Sequence, residues 1–350
     1  MGEIKKYKLV LFLVGSVLLI SFTFYAYQII YVSNILVERD DKVFIVKPNT
    51  TYRKVLEDLG KGYFVNDIVS FSFLARLSGY DKNIAPGRFI LRRGMTNLEA
   101  IRILKSGKQD AVKLTFSYVR LQSELAEKLT KNIGVSPEEF DDALADFVAN
   151  NKEGFTTENI RCMFLPNTYE VYFNVLPEDL IERMHAEYGK FWNEERSAKA
   201  KKIGLTPIEV SILASIVQAE TVKQDEAPII AGLYINRLKK DIALQADPTL
   251  VYASGDFALK RVLNEHKEID SPYNTYRHAG LPPGPINVPQ IANIDAVLTY
   301  TVSDYFYMCA KEDFSGYHNF AANLSEHSVN ARKYQKALSA EMRKAAANKK

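Results

Sequence analysis

Residues 9–32 contain no Asp, Glu, Lys or Arg, and no other stretch of the chain constrains its fold as strongly. The run is apolar all round and long enough for one helix across a bilayer, which needs about 20 residues. A cleavable leader would have an apolar core of about 7–15 residues and a small-residue cleavage site. This run is longer, lacks an Ala-X-Ala site, and ends among Tyr25, Tyr27 and Tyr31, which suit the boundary between hydrocarbon and water. Lys5, Lys6 and Lys8 precede it, and positive flanks favour the cytoplasmic side. The expectation is a single-pass anchor over 9–32 behind a cytoplasmic tail of 1–8, with the remaining chain beyond the membrane.

That remainder is ordinary globular material, enough for two or three packed units. The 45 basic and 42 acidic residues leave a net charge of +3 with no concentrated basic face, so no nucleic acid partner is expected. The histidines form no HExxH or similar spacing, so neither a catalytic metal nor another cofactor is expected. Cys162 and Cys309 fit a disulfide or two buried thiols equally well.

Residues 43–46 (VFIV) read as a strand, 52–59 as a helix, and Ile68, Phe71, Phe73, Leu74 and Leu77 as a second helix. Residues 87–91 return as a strand, and Thr96 with Glu99 opens a further helix through a capping box. Together these make a small α+β module, whose role could be a spacer or a weak glycan binder. Further on, 121–132 and 137–147 read as helices, 177–202 as one long amphipathic helix, and 331–350 as a solvated, fraying end.

Residues 206–221 (TPIEVSILASIVQAET) carry the sharpest chemical signal. Thr206 caps the helix, Pro207 suits its first turn and Glu209 completes a capping box. Ile212, Leu213, Ile216 and Val217 share one face, and the next step of that face is Glu220. A carboxylate on an apolar face must be paired or protonated, because burial raises its pKa. A Glu that holds its proton near neutral pH is suited to general acid catalysis, although many such residues only pair with a buried cation.

Polar groups in stiff settings follow. Asn236 lies in a helix over 225–240, and Gln245 and Thr249 flank an Asp247-Pro248 turn before Tyr252. Asn274 and Thr275 sit between Tyr273 and Tyr276, three prolines stiffen 280–286, and His318 falls among further aromatics. Aromatic faces with amides and hydroxyls around one buried acid suit a glycan cleft, while each loop alone is ordinary turn punctuation.

These residues carry a resemblance. Residues 213–221 (LASIVQAET), 236–238 (NRL), 244–249 (LQADPT), 273–276 (YNTY), 280–286 (GLPPGPI) and 318–327 (HNFAANLSEH) resemble the membrane-anchored endolytic murein transglycosylases, the MltG or YceG-like family. Residues 164–169 (FLPNTY) match a further segment, with Asn167 where the family usually has Asp. Gln218 stands where many relatives carry an acid, and 116–120 (FSYVR) replaces a Pro-Glu-Gly turn, a change expected to alter surface rather than chemistry.

The resemblance implies an α+β fold with a linker and LysM-like module over 33–115 and a mixed α/β catalytic domain over 116–345. It implies cleavage of peptidoglycan strands between N-acetylmuramic acid and N-acetylglucosamine, with Glu220 as the catalytic group. Asn236, Gln245, Asp247, Thr249, Tyr252, Tyr273, Asn274, Thr275, Tyr276 and His318 are the candidate sugar-holding residues. It also implies a place in the cell inner membrane and association with peptidoglycan synthases. Two alternatives stay open: a hydrolase using Asp247 or Glu226 as second carboxylate, and an anchored glycan-binding protein without catalysis.

Overall fold

The computed structural model describes residues 2–36, 41–259 and 261–347. The chain forms two compact units. The first comprises Met1–Lys113, Lys131–Val135 and Tyr169–Leu176, and the second Leu114–Thr130, Ser136–Thr168 and Pro177–Lys350.

The first unit begins with helix α1, Gly2–Tyr31. Its stretch Lys6–Tyr31 is long and apolar enough to cross a membrane, and its apolar side chains stand exposed until Ile29 turns into the unit's core. Strand β1 (Asp41–Val46) pairs antiparallel with β2 (Gly87–Arg92), placing Phe44 opposite Phe89. Phe44 and Val46 face the core while Val43 and Ile45 face out, the alternation a one-sided sheet requires. Between the strands run α2 (Tyr52–Lys61), capped by Thr51, and α3 (Ile68–Leu77), capped by Asp67. Phe71 and Leu74 of α3 are buried; Phe73 and Leu77 are exposed. Helix α4 (Asn97–Ser106) opens with the expected Thr96–Glu99 capping box. Buried Asn34 joins these pieces, donating to the Asp67 carbonyl (2.8 Å) and to Asn97 Oδ1 (2.6 Å). Strand β3 (Val112–Thr115) pairs with β4 (Thr168–Val171).

In the second unit α5 (Gln122–Thr130) and α6 (Pro137–Asn150) precede α7 (Pro177–Phe191) and α8 (Glu194–Ile203). The single long helix expected over 177–202 is therefore two. Asn193 adopts extended backbone and its side chain accepts from the Arg196 amide, which caps a new helix where the old one stops. Helix α9 (Pro207–Glu220) is central, touching α8, α10 (Ala227–Lys239), α11 (Asp247–Ser254) and α12 (Ile291–Leu298). Residues 210–217 of α9 are all buried, so its apolar residues are enclosed on every side and not along one stripe. A hairpin of β5 (Tyr307–Ala310) and β6 (His318–Ala321) leads to α13 (Leu324–Ala347), which packs on both strands. Far from being only a fraying end, α13 places Tyr334, Leu338 and Met342 on the wall of the main cleft. Cys162 and Cys309 are free thiols.

Candidate active site

Glu220 is the last residue of α9, where Thr221 turns the backbone extended. The helix leaves the core at Gln218, so its final turn borders a cleft of about 870 Å³. Glu220 keeps some exposure to that cleft, yet protein crowds its carboxyl group. Burial pushes its pKa up to about 7, with the Asp247 charge adding to the rise. The negative end of the helix dipole acts in the same direction. Opposing these is Tyr234 of α10, buried, whose hydroxyl donates to Glu220 Oε1 at 2.6 Å. A proton is thus held near neutral pH on a group that reaches solvent space, as general acid–base chemistry needs.

Glu220 and Asp247 also border a second depression of about 240 Å³, with Tyr234, Gln245, Tyr276 and His318 around it. Both carboxylates therefore stand where two hollows meet. Asp247 is the first residue of α11, not part of a free turn: Pro248 fits the first helical turn, where no amide hydrogen is needed. Its carboxylate accepts from the Tyr276 hydroxyl at 2.5 Å. Tyr252 lines the larger cleft, packs tilted against Tyr273 with ring centroids 4.7 Å apart, and accepts from the buried Arg161 guanidinium at 2.7 Å.

Four of the expected sugar-holding residues serve the framework instead. Thr249 and Thr275 are buried and share a hydrogen bond of 2.8 Å that ties α11 to the 273–276 segment. Asn274 is buried and donates to the Lys267 and Ile269 carbonyls. Asn236 donates to the Ser303 and Tyr305 carbonyls and fixes the approach to β5. Buried amides and hydroxyls whose bonds are already made have little left for a ligand. Gln245 holds a left-handed backbone (φ 53°) and accepts from Arg237, which also donates to three carbonyls. His318 donates its amide to Glu226 Oε1 (2.7 Å) and pairs through Nδ1 with Oε2 (2.9 Å). With both oxygens engaged and the residue buried, Glu226 is a structural carboxylate, which leaves Asp247 as the other acid at the site.

Two features were missed in the sequence. Tyr234 had one available signal, a hydroxyl inside the apolar run of α10 that needs an acceptor. The segment 116–120, whose departure from the family was expected to alter surface rather than chemistry, puts Tyr118 and Arg120 on the wall of the Glu220 cleft. Its position is set by long-range bonds, such as the Val288 amide donating to the Val119 carbonyl at 2.7 Å, which no local pattern announces. Gln218, the departure beside Glu220, donates to Asn287 Oδ1 (2.8 Å) and accepts from the Gln290 amide (2.6 Å) and Asn293 (2.9 Å). An amide can do both; a carboxylate could only accept.

Residues 44–333 match the YceG-like family. An endolytic murein transglycosylase of Streptococcus pneumoniae (serotype 2, strain D39) is 26% identical over 352 aligned positions, covering 91% of this chain and 63% of that protein. One from Bacillus subtilis (strain 168) is 36% identical over 157 positions, 45% of this chain and 42% of that protein. The chain thus spans less than two thirds of the length of either relative. A crystal structure of a yceG-like protein from Listeria monocytogenes shares the fold at TM-score 0.50 and 24% identity, covering 83% of this chain and 98% of that one. The central helix, the loops around it and most of the chain's length fall within one match, and the chain belongs to the YceG-like family.

Proposed function

We propose that this chain is an endolytic lytic transglycosylase of peptidoglycan, cutting the β-1,4 bond between N-acetylmuramic acid and N-acetylglucosamine. The observation that carries the reading is Glu220, a carboxyl with its pKa near 7 at the meeting point of two hollows. The names of the pneumococcal and Bacillus relatives supply the substrate class. Glu220 gives its proton to the glycosidic oxygen as the C1–O bond breaks. The muramic 6-hydroxyl then attacks C1, its proton passes to the Glu220 carboxylate, and a 1,6-anhydro ring closes with no water consumed. The nucleophile belongs to the substrate, which gives it a large proximity advantage. Hollows on both sides of the acid suit cleavage within a strand. Residues 9–32 anchor the chain in the inner membrane with residues 1–8 cytoplasmic and the catalytic domain, 116–345, periplasmic. The 33–115 region is a LysM-like module, and nascent glycan beside its synthases is the natural substrate.

Asp247 favours one competing reading, a hydrolase in which it activates water, since it borders both hollows with Glu220. Purified glycan digested in ¹⁸O-water separates the two by mass. The lytic reaction yields anhydromuramic ends without label, one water lighter than hydrolysis products; label at new muramic ends refutes it. Glu220→Gln should stay folded and lose about 10²–10⁴-fold in turnover. Near-normal turnover by that variant would remove Glu220 from the chemistry.

A further inference from the structure

Arg120 is held on the wall of the cleft with no carboxylate in a salt bridge to its guanidinium among the described residues. Its amide donates to Glu124 Oε2 at 2.7 Å, and its carbonyl accepts from the Arg161 guanidinium, so the backbone is pinned from both sides. The guanidinium carbon lies 4.3 Å from the Phe257 ring centroid and 5.6 Å from that of Tyr118. One of its nitrogens, Nη2, donates to the Tyr118 hydroxyl at 2.9 Å. Among the described residues no carboxylate pairs with it, although a guanidinium offers five donors in a planar fork. Arg261 borders the same cleft, so two cationic groups share it with Glu220 and Asp247. Contact with the two rings and the bond to the Tyr118 hydroxyl restrain the fork before any ligand arrives, and a preorganised guanidinium suits bidentate capture of a carboxylate.

We propose that Arg120, laid against Phe257 and Tyr118, is the anion-recognition group of this cleft and binds a carboxylate carried on the muramic substituent of the glycan strand. The proposal rests on the glycan-cleaving reading above. Neutral N-acetylglucosamine offers such a group hydrogen-bond acceptors but no anionic partner. The muramic lactyl ether does, either through its own carboxyl when unsubstituted or through the peptide stem attached to it. Arg120 would thereby set the substituent's side of the strand and favour acidic strands over neutral ones.

The test uses strands in three forms: stems intact, stems with their carboxyls converted to amides, and stems removed by an amidase that frees the lactyl carboxyl. The wild-type chain should lose about tenfold or more in kcat/KM from the first form to the second, the effect of one charge-assisted hydrogen bond. Arg120→Gln should cut the intact form no better than wild type cuts the amidated form, with the change in KM. Amidation should then make no further difference to it. Stripped strands cut as well as intact ones show that the freed lactyl carboxylate can replace that of the stem; stripped strands cut as poorly as amidated ones confine recognition to the stem, and stripped strands cut better than both confine it to the lactyl carboxylate. Equal wild-type constants for the intact and amidated forms, with stripped strands cut no better than either, overturn the proposal. So does an equal loss by Arg120→Gln on both, which would make Arg120 only a brace for Tyr118 and Phe257. If Arg120→Gln does not fold, the wild-type comparison stands alone. Calorimetric affinities of the Glu220→Gln chain for the first two forms repeat the comparison without turnover, so a failure of the catalytic reading and a failure of the anion site remain distinguishable.

Discussion

Glu220 is poised by two neighbours that pull its pKa in opposite directions. The Tyr234 hydroxyl donates to the carboxylate and so favours the ionised form, while the charge of Asp247 disfavours it. As general acid, Glu220 must be protonated, so kcat/KM should fall as pH rises through about 7. Tyr234→Phe removes the donor, raises the pKa and should move this alkaline limb to higher pH. Asp247→Asn removes the charge, lowers the pKa and should move the limb to lower pH. Profiles of kcat/KM against pH for the two variants decide the point, and limbs that stay put would mean another group titrates. Glu220 itself stood out in the sequence because it continues the apolar face of Ile212, Leu213, Ile216 and Val217, whereas Glu209 is accounted for by its capping box. Its partners were harder, since Tyr234 reaches it across a helix-to-helix packing and Arg161 reaches Tyr252 across 91 residues. Thr249, Asn274 and Thr275 were picked as polar groups on stiff segments, and the structure buries them with hydrogen bonds made inside the protein. Only burial distinguishes a side chain that meets a sugar from one that meets the next loop.

Helices with strong caps were readable to within a residue or two, because Thr96–Glu99, Ser136–Glu139 and Thr206–Glu209 each announce a start with paired side-chain bonds. The break at Asn193 was not read, because its local cap interrupts a periodicity that continues on either side. The 280–286 loop shows the same limit. Its prolines suggested stiffness, but its decisive residue is Gly284, where an added Cβ would sit 1.9 Å from the Glu158 carbonyl oxygen. That approach holds Ile286 and Asn287 on the cleft wall, helped by Arg161 donating to the Pro285 carbonyl at 2.6 Å. Gly284→Ala must therefore push backbone from backbone, which should cost about 1–3 kcal/mol and displace the wall. Gly280 has positive φ (85°) but open space, so Gly280→Ala should cost about 1 kcal/mol from backbone strain alone. Urea midpoints give the comparison. A Gly284→Ala chain as stable and active as wild type would show that the loop can retreat without consequence.

For the whole molecule, the apolar run and the first α+β pattern were legible because both depend on local composition and spacing. Residues 131–135 and 169–176 were not expected to group with residues 1–113, because that grouping is made by contacts distant in sequence. The same long-range packing bears on whether the apolar helix is kept. The far end of α1 is part of the first unit's structure: Ile29 lies in its core, Asn97 donates to the Ile29 carbonyl at 3.0 Å, and Ser33 donates to the Gly94 carbonyl at 2.7 Å. Cutting near residue 32 would take Ile29 from that core and leave the buried Asn97 amide short of an acceptor, a loss of about 1–3 kcal/mol for that group alone. A removable leader has no reason to be built into the fold it leaves behind. The full-length chain should therefore remain with the inner membrane through alkaline carbonate extraction, and its N-terminal sequence should stay uncut. Protease added from the periplasmic side should degrade residues after 33, while a tag placed ahead of Lys5 should survive until the membrane is opened. A soluble form beginning near residue 33 would show that the run is a leader after all, and a tag cleaved in sealed vesicles would reverse the orientation.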